Sequence, residues 1–146
     1  MQKEGSKWCD LTCNNSILAG QDKTMKALVI DDSTTTRRLI RDILAHLHID
    51  VVEAEDGLAG IDTMQQEAAD FVLVDWNMPR MDGLGFVQHL RADPTWSHVP
   101  IIMVTTEVDR PHIAMAMEAG ADEYVMKPFD AKVLQEKLFL VGISTE

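Results

Sequence analysis

The chain has 146 residues, of which 46% are hydrophobic, and it carries a formal net charge of -11. This length can bury one hydrophobic core and is too short for two ordinary domains. The acidic balance argues against nucleic acid or an anionic membrane as a direct partner, because both attract basic surfaces. No apolar run approaches the roughly 20 residues of a membrane-spanning helix. No secretion signal is evident either, so we expect a cytoplasmic protein.

Residues 1–24 differ from the remainder of the chain. They mix charged and small polar residues and contain only one short apolar run, Ile17–Ala19, without a sustained helical or strand period. We therefore expect a flexible N-terminal extension at 1–24 and a single domain at 25–146. Met25 directly precedes the first predicted strand, so translation could also begin there.

From residue 26 onward, short apolar runs alternate with helical patterns. Runs such as Ala27–Ile30 and Phe71–Val74 have the composition of strands buried on both faces. The first helical stretch places these apolar residues at the spacing of a core-facing stripe: Leu39, Ile40, Ile43, Leu44 and Leu47. The pattern predicts strands at 27–31, 51–54, 70–75, 100–104 and 123–126, and helices near 34–47, 57–68, 83–92, 109–118 and 130–140. This alternation predicts an α/β fold with a five-stranded parallel sheet, doubly wound by helices on both faces.

Acidic side chains end two of the predicted strands. Asp31 and Asp32 follow one apolar run, and Asp75 follows another. The carboxyl ends of parallel strands share one edge of the sheet, where ligands bind, so we expect the three carboxylates to meet in one cleft. Unit charges about 4 Å apart repel by roughly 1 to 4 kcal/mol at effective dielectrics between water and a protein surface. A divalent cation would relieve this repulsion, although acids at such places can also be simple helix caps.

Two later strands end in a hydroxyl and an amine. Thr105 and Lys127 stand where the fourth and fifth strands leave the sheet. Together with the acids they supply the groups that metal-assisted phosphoryl chemistry needs. Considered alone, Thr105 also fits an ordinary β-branched strand residue, and Lys127 a solvated charge.

Five motifs resemble, in order and spacing, those of the receiver domains of two-component response regulators. They are VIDDS at 29–33, AEDG at 54–57, VDWNMPRMDG at 74–83, VTTE at 104–107 and KPF at 127–129. The resemblance covers roughly residues 26–141 and is nearest to the CheY-like single-domain chemotaxis regulators. It implies a flavodoxin-like, CheY-like fold. It also implies a signalling switch rather than an enzyme, though one able to catalyse its own phosphorylation and dephosphorylation.

The resemblance assigns roles to the acids. Asp75 would accept a phosphoryl group from a phosphohistidine, on a sensor histidine kinase of the CheA type or on a phosphotransfer protein. Mg²⁺ would bind Asp32, Asp75 and the backbone carbonyl of Asn77, while Asp31 would act mainly through a metal-bound water. Hard oxygen ligands with retained waters suit Mg²⁺.

The resemblance also implies a conformational switch. Lys127 would pair with the phosphoryl oxygens, and Pro128 would follow it through a cis peptide bond. Thr105 would donate its hydroxyl to the phosphoryl group, and Tyr124 would swing inward when Thr105 moves. The surface around the fourth helix, fifth strand and fifth helix would then bind a downstream partner.

Two side chains are expected to control how long the phosphoryl group lasts. Asn77 and Glu107 stand two positions after Asp75 and Thr105, where side chains can admit or exclude the hydrolytic water. Neither is bulky enough to seal the cleft, so we expect a short-lived phosphoprotein.

Several alternatives stay open. A flavodoxin-like binder would hold a phosphate at the hydroxyl-rich start of the first helix, Ser33–Thr36, although Asp31 and Asp32 would repel it. An aspartate-nucleophile phosphatase usually has a second acid where Asn77 stands here. Within the receiver interpretation, the target could be a flagellar motor switch, and a phosphorelay intermediate or a regulator outside chemotaxis remains the alternative. We expect no output domain after the last helix, so the signal would pass to a separate partner.

Overall fold

The computed structural model describes residues 25–106 and 109–143. The expected extension at 1–24 and the predicted water-controlling residue Glu107 lie outside the described residues. Within the described part, no helix is long and apolar enough to cross a membrane.

Strands and helices alternate five times along the described chain. The strands are β1 (Lys26–Ile30), β2 (Asp50–Ala54), β3 (Phe71–Val74), β4 (Ile101–Thr105) and β5 (Glu123–Met126). The helices are α1 (Thr34–His46), α2 (Gly57–Gln66), α3 (Gly83–Ala92), α4 (Arg110–Ala119) and α5 (Ala131–Leu140). Each predicted element is present, and its bounds differ from the predicted ones by one or two residues at most.

The five strands form one parallel sheet in the order β2-β1-β3-β4-β5. In the register of this sheet, Ile30 at the end of β1 lies opposite both Ala54 and Val74. Asp75 continues this pairing, because its backbone N–H donates to the carbonyl of Ile30 at 2.9 Å. The strand order reverses between β1 and β3, and such switch points open a crevice at the carboxyl edge of the sheet.

Two hydrophobic cores cover the two faces of the sheet. One lies beneath α2, α3 and α4 and contains Met64, Phe86 and Leu90. The other lies beneath α1 and α5 and contains Leu44 and Leu134. Helices on both faces explain why the central strands are buried throughout, and they confirm the predicted doubly wound α/β class.

The buried stripe of α1 is narrower than the sequence pattern predicts. Ile40, Ile43 and Leu44 are buried, whereas Leu39 is 44% exposed. Leu39 lies on the flank of the helix, where it lines a cavity of about 350 Å³ together with Pro128. Helical spacing alone does not separate a flank residue from a core residue, because both belong to one broad apolar stripe.

Each helix begins with a side chain that caps its first turn. The capping oxygen accepts a backbone N–H three residues ahead, which satisfies a donor that the helix itself leaves unpaired. The caps are Ser33, Asp56, Asp82, Asp109 and Asp130. Several loop acids of this acidic chain therefore fix where helices begin.

Arg91 joins three segments at the amino edge of the sheet, opposite the acidic strand ends. Its guanidinium donates to the backbone carbonyls of Gly120 at 2.9 Å and Ser97 at 3.0 Å. It also pairs with the carboxylate of Asp122 at 2.8 Å, and Asp122 accepts the backbone N–H of Ile101 at 2.9 Å. One side chain thus connects the end of α3, the segment before β4 and the turn after α4.

We predict that Arg91→Ala lowers the free energy of unfolding by roughly 2 to 3 kcal/mol, because several acceptors lose a charged donor at once. Arg91→Lys should recover only part of this loss, since an ammonium cannot reproduce the planar fork. Urea unfolding measures the loss of stability in both variants, with Arg38→Ala on the exposed face of α1 as the control. Equal losses for Arg91→Ala and the control would show that Arg91 does not join these segments.

Candidate functional site

Three carboxylates meet at the carboxyl edge of the sheet, just beyond β1 and β3. Asp31, Asp32 and Asp75 each offer an oxygen, and these oxygens all lie within 4.8 Å of one another. Asp31 is 1% exposed and Asp75 is 8% exposed, whereas Asp32 is open to solvent. The structure therefore brings together the acids that the strand pattern predicted to share one cleft. We call these three residues the acidic cluster.

Asp31 is held by contacts on both carboxylate oxygens. Oδ1 accepts the backbone N–H of Ser33 at 2.8 Å, and Oδ2 accepts the ammonium of Lys127 at 2.8 Å. The guanidinium of Arg37 donates to the backbone carbonyl of Asp31 and pairs with Glu53 at 2.9 Å. The turn after β1 is thus fixed from the side of α1 and from the side of β5.

Asp75 is fixed by its own backbone neighbours and by Lys127. Its Oδ1 accepts the N–H of Trp76 at 2.7 Å, and its Oδ2 accepts the ammonium of Lys127 at 3.2 Å. The N–H of Gly83 donates to the carbonyl of Trp76 at 2.9 Å, which closes the loop 76–82. A Cβ at position 83 would lie 2.1 Å from the carbonyl oxygen of Asp75, so this close approach requires glycine.

Lys127 reaches the acidic cluster from the end of β5, next to Thr105. Its backbone N–H donates to the carbonyl of Thr105 at 3.0 Å, and the Lys127–Pro128 peptide bond is cis, as the resemblance implies. Thr105 is 2% exposed at the end of β4. Burial alone would lower the pKa of the Lys127 ammonium, but the hydrogen bond to Asp31 and the charge of Asp75 outweigh burial and raise that pKa. The lysine is therefore charged at neutral pH.

The acidic cluster has more negative charge than one lysine can balance. Burial raises the pKa of Asp75, and the charge of Asp31 raises it further, against the opposing effect of Lys127. Three carboxylates facing one ammonium leave an excess of negative charge in a small volume. Their oxygen atoms are hard ligands of the kind that Mg²⁺ prefers. By its donor set and its charge, this cluster could hold a divalent metal ion.

The other predicted site residues lie around this cluster. Asn77 is exposed in the loop after Asp75, and Glu107 lies outside the described residues. Tyr124 lies on β5, half-buried against the core beneath α4. The ammonium of Lys137 lies 5.2 Å from the centroid of its ring.

Several residues that shape the cleft carried no clear signal in the sequence. Arg37 contacts the carbonyl of Asp31, and Arg80 forms an ion pair with Asp56 across two loops. The ring of His112 meets the ring of Trp76 edge to face, with 4.9 Å between centroids. Arg80 and Asp56 lie 24 residues apart in different loops, and Trp76 and His112 also belong to different segments, so no spacing rule pairs them. Arg37 is close to Asp31 in sequence, but it bonds to a backbone carbonyl, which the residue types do not signal.

The chain matches the response regulator receiver domain family over residues 27–139. It is 45% identical to the chemotaxis protein CheY1 of Helicobacter pylori over 119 residues, which cover 80% of this chain and 96% of that protein. Its fold is similar to the solved structure of the chemotaxis response regulator CheY4 of Vibrio cholerae, with a TM-score of 0.77 and 30% identity, over 82% of this chain and 99% of that one.

A second solved relative contains a metal ion. It is the receiver domain of a sensor histidine kinase from Pseudomonas aeruginosa, which has a magnesium ion coordinated in its active-site cleft. The TM-score is 0.75 at 25% identity, over 82% of this chain and 99% of that one. These similarities confirm the resemblance stated from the five motifs. The chain belongs to the response regulator receiver domain family, whose CheY-like members are two-component signalling proteins rather than classical enzymes and work with a histidine kinase or phosphotransfer partner.

Proposed function

We propose that this receiver accepts a phosphoryl group on Asp75 and then binds a downstream protein. The observation that carries the proposal is the shared contact of one partly buried ammonium, that of Lys127, with both Asp31 and Asp75. An ammonium beside a buried carboxylate can stabilise the negative oxygens of a phosphoryl group during its transfer. We propose 25–146 as the extent of the domain, a range that contains the matched family segment.

Asp75 fits the acceptor role better than its two neighbours. Only 2% of the Asp31 side chain is exposed, against 10% of the Asp75 side chain, so an incoming phosphorus atom reaches Asp75 more easily. Asp32 is exposed, where water competes for its charge. Asp75 is buried beside Lys127, and its raised pKa makes its oxygens more basic than those of a solvated carboxylate. A carboxylate is a competent nucleophile toward phosphorus once its charge is offset.

Mg²⁺ fits the donor set of the acidic cluster. Asp32, Asp75 and the backbone carbonyl of Asn77 would hold it, with Asp31 reaching it through a bound water. When bound, the metal would offset the charge between the acceptor carboxylate and the phosphoryl oxygens. The magnesium described for the Pseudomonas aeruginosa relative supports this part of the proposal.

In the proposed transfer, a carboxylate oxygen of Asp75 attacks the phosphorus of a phosphohistidine. The new P–O bond forms as the P–N bond breaks, and the electron pair returns to the imidazole nitrogen. Lys127 would move its ammonium onto the phosphoryl oxygens, and Thr105 would donate its hydroxyl to them. In the later hydrolysis, the oxygen of a water molecule would form a bond to the phosphorus as the bond to the Asp75 oxygen breaks, which releases inorganic phosphate and regenerates the carboxylate. The protein would catalyse both of these steps on itself.

The proposed output follows from Thr105 and Tyr124. Movement of Thr105 toward the phosphoryl group would let Tyr124 turn inward and change the surface formed by α4, β5 and α5. We propose a role in bacterial chemotaxis, with a kinase of the CheA type upstream and a flagellar motor switch downstream in the cytoplasm. The chemotaxis names of the relatives support this pathway. A phosphorelay intermediate or a regulator outside chemotaxis is the second candidate.

The hydrogen bonds at the start of α1 disfavour the flavodoxin-like alternative. The N–H of Ser33 is donated to Asp31 at 2.8 Å, and the N–H of Thr36 is donated to the hydroxyl of Ser33 at 3.2 Å. A phosphate would have to displace these bonds and approach a buried carboxylate.

We predict that a small phosphodonor such as acetyl phosphate adds one phosphoryl group to the protein when Mg²⁺ is present, as measured by intact mass. Asp75→Asn should remain unlabelled, because an amide is a poor nucleophile. Asp62→Asn, which changes an exposed acid on α2, should be labelled like the wild type. Labelling of Asp75→Asn to the wild-type extent would remove Asp75 as the acceptor.

A second prediction concerns the lifetime of the phosphoryl group. Replacing Asn77 and Glu107 together by leucine and phenylalanine should slow the loss of phosphate by roughly 10-fold or more, because bulky apolar groups exclude or misorient the attacking water. The backbone carbonyl of Asn77 is kept in this variant. Phosphoprotein is followed by mass after the donor is removed, with Asp62→Asn as the control. An unchanged decay rate would show that these positions do not control the water.

A further inference from the structure

Asp56 is a buried acid that belongs to the turn between β2 and α2, outside the acidic cluster. It is 3% exposed and caps α2, with its Oδ1 accepting the N–H of Ala59 at 2.9 Å. Arg80, in the loop after β3, donates to both of its oxygens, at 2.8 Å from Nε and 3.1 Å from the terminal nitrogen. This two-pronged geometry fixes direction as well as distance. The hydrogen bond from Arg80 lowers the pKa of Asp56, so the carboxylate is charged at neutral pH.

The backbone of Arg80 is also unusual. Its φ of 66° lies in the left-handed region, which a residue with a Cβ adopts at an energetic cost. Glycine, asparagine and aspartate adopt this conformation more readily than arginine does. The sequence therefore places an unfavourable residue type at this turn, and the side chain of that residue forms the ion pair with Asp56. Because one residue both adopts the left-handed backbone and forms the pair, a change in the loop conformation would also move the guanidinium.

The same loop is attached to its surroundings at further points. The N–H of Gly57 donates to the carbonyl of Met81 at 3.1 Å, and a Cβ at Gly57 would lie 2.6 Å from the Met81 side chain. The N–H of Gly83 donates to the carbonyl of Trp76. Asn77 lies between these anchors. Its position therefore depends on how the loop 76–82 is fastened to the start of α2.

We propose that Asp56 and Arg80 are positioning residues that set where the backbone carbonyl of Asn77 stands relative to Asp32 and Asp75, and so tune the affinity for a divalent metal ion. The inference rests on the proposed Mg²⁺ site. Neither residue belongs to the acidic cluster, and both act through the loop 76–82. Residues that orient ligands from outside typically change metal affinity by roughly 10-fold or more when they are replaced.

Positioning and simple electrostatics make opposite predictions for Arg80. Removing a cation near an acidic cluster would strengthen the binding of Mg²⁺ if charge alone mattered. Removing it would weaken binding if the cation holds the loop. For Asp56 both explanations predict weaker binding, so Arg80 is the residue that decides between them.

The test uses substitutions that keep the local backbone preferences. Arg80→Asn removes the guanidinium and leaves a residue that tolerates the left-handed conformation, and Arg80→Gly serves if the first variant does not fold. Asp56→Asn keeps a good helix cap and removes the charge. Arg41→Asn is the matched control, because Arg41 is 53% exposed and pairs with Glu53 at 2.7 Å, outside the loop 76–82.

Mg²⁺ affinity is measured by calorimetry on the full chain, with thermal unfolding as the check of folding. We expect Arg80→Asn and Asp56→Asn each to weaken Mg²⁺ binding roughly 10-fold. The double variant should bind Mg²⁺ with about the same affinity as the single variant that binds it more weakly, because the two residues act as one unit. Arg41→Asn should bind like the wild type.

Unchanged or tighter binding by Arg80→Asn, with normal folding, would overturn the inference. Additive losses in the double variant would do the same, since they would show that the two residues act independently. A wild-type protein that does not bind Mg²⁺, or an Asp32→Asn variant that binds it equally well, would instead contradict the proposed metal site itself. The absence of a positioning role for Arg80 and the absence of the metal site therefore give different results.

Discussion

Mutual repulsion of three carboxylates around one lysine is the constraint on which this structure depends. The oxygens of Asp31, Asp32 and Asp75 all lie within 4.8 Å of one another, and two of these residues are buried. Parallel register between β1 and β3 imposes this proximity, because the strands end at the same level and each is followed by an acid. Lys127 offsets part of the charge from the end of β5. The fold therefore keeps an electrostatic repulsion at one edge of its sheet, and binding of a cation would relieve it.

The loops around the cluster are held by contacts that are individually ordinary. Gly83 lets α3 start against the carbonyl of Asp75, and Arg37 fixes the turn after β1. The pair of Asp56 with Arg80 fastens the loop after β3 to the start of α2. Sites that must place charges accurately need such supporting contacts, since a displacement of about 1 Å is enough to lose much of the catalytic effect. The positioning function of these loops is thus distributed over residues outside the acidic cluster.

The sequence predicted the scaffold and the acids well because both are local signals. Apolar runs, helical spacing and an acid at a strand end can be read within a few residues, and the parallel sheet then brings Asp31 and Asp75 together. The supporting contacts could not be predicted in this way. Arg80 and Asp56 lie 24 residues apart in different loops, and the left-handed backbone of Arg80 contradicts the usual preference of its residue type. The prediction that Leu39 belongs to the buried stripe of α1 was wrong for a related reason, since periodicity does not separate the flank of a helix from its buried stripe.

Thermal unfolding of the wild type and Asp75→Asn, with and without Mg²⁺, tests the charge crowding most directly. The pKa of Asp75 is raised in the folded state, so its contribution to stability is present below the usual carboxyl pKa and is lost as pH rises through the raised value. At neutral pH without metal, Asp75→Asn should therefore unfold at a higher temperature than the wild type, and the difference should shrink in acid. Mg²⁺ should stabilise the wild type more than the variant. A variant that is less stable than the wild type without metal, or equal stabilisation of both by Mg²⁺, would contradict a crowded, metal-binding acidic cluster centred on Asp75.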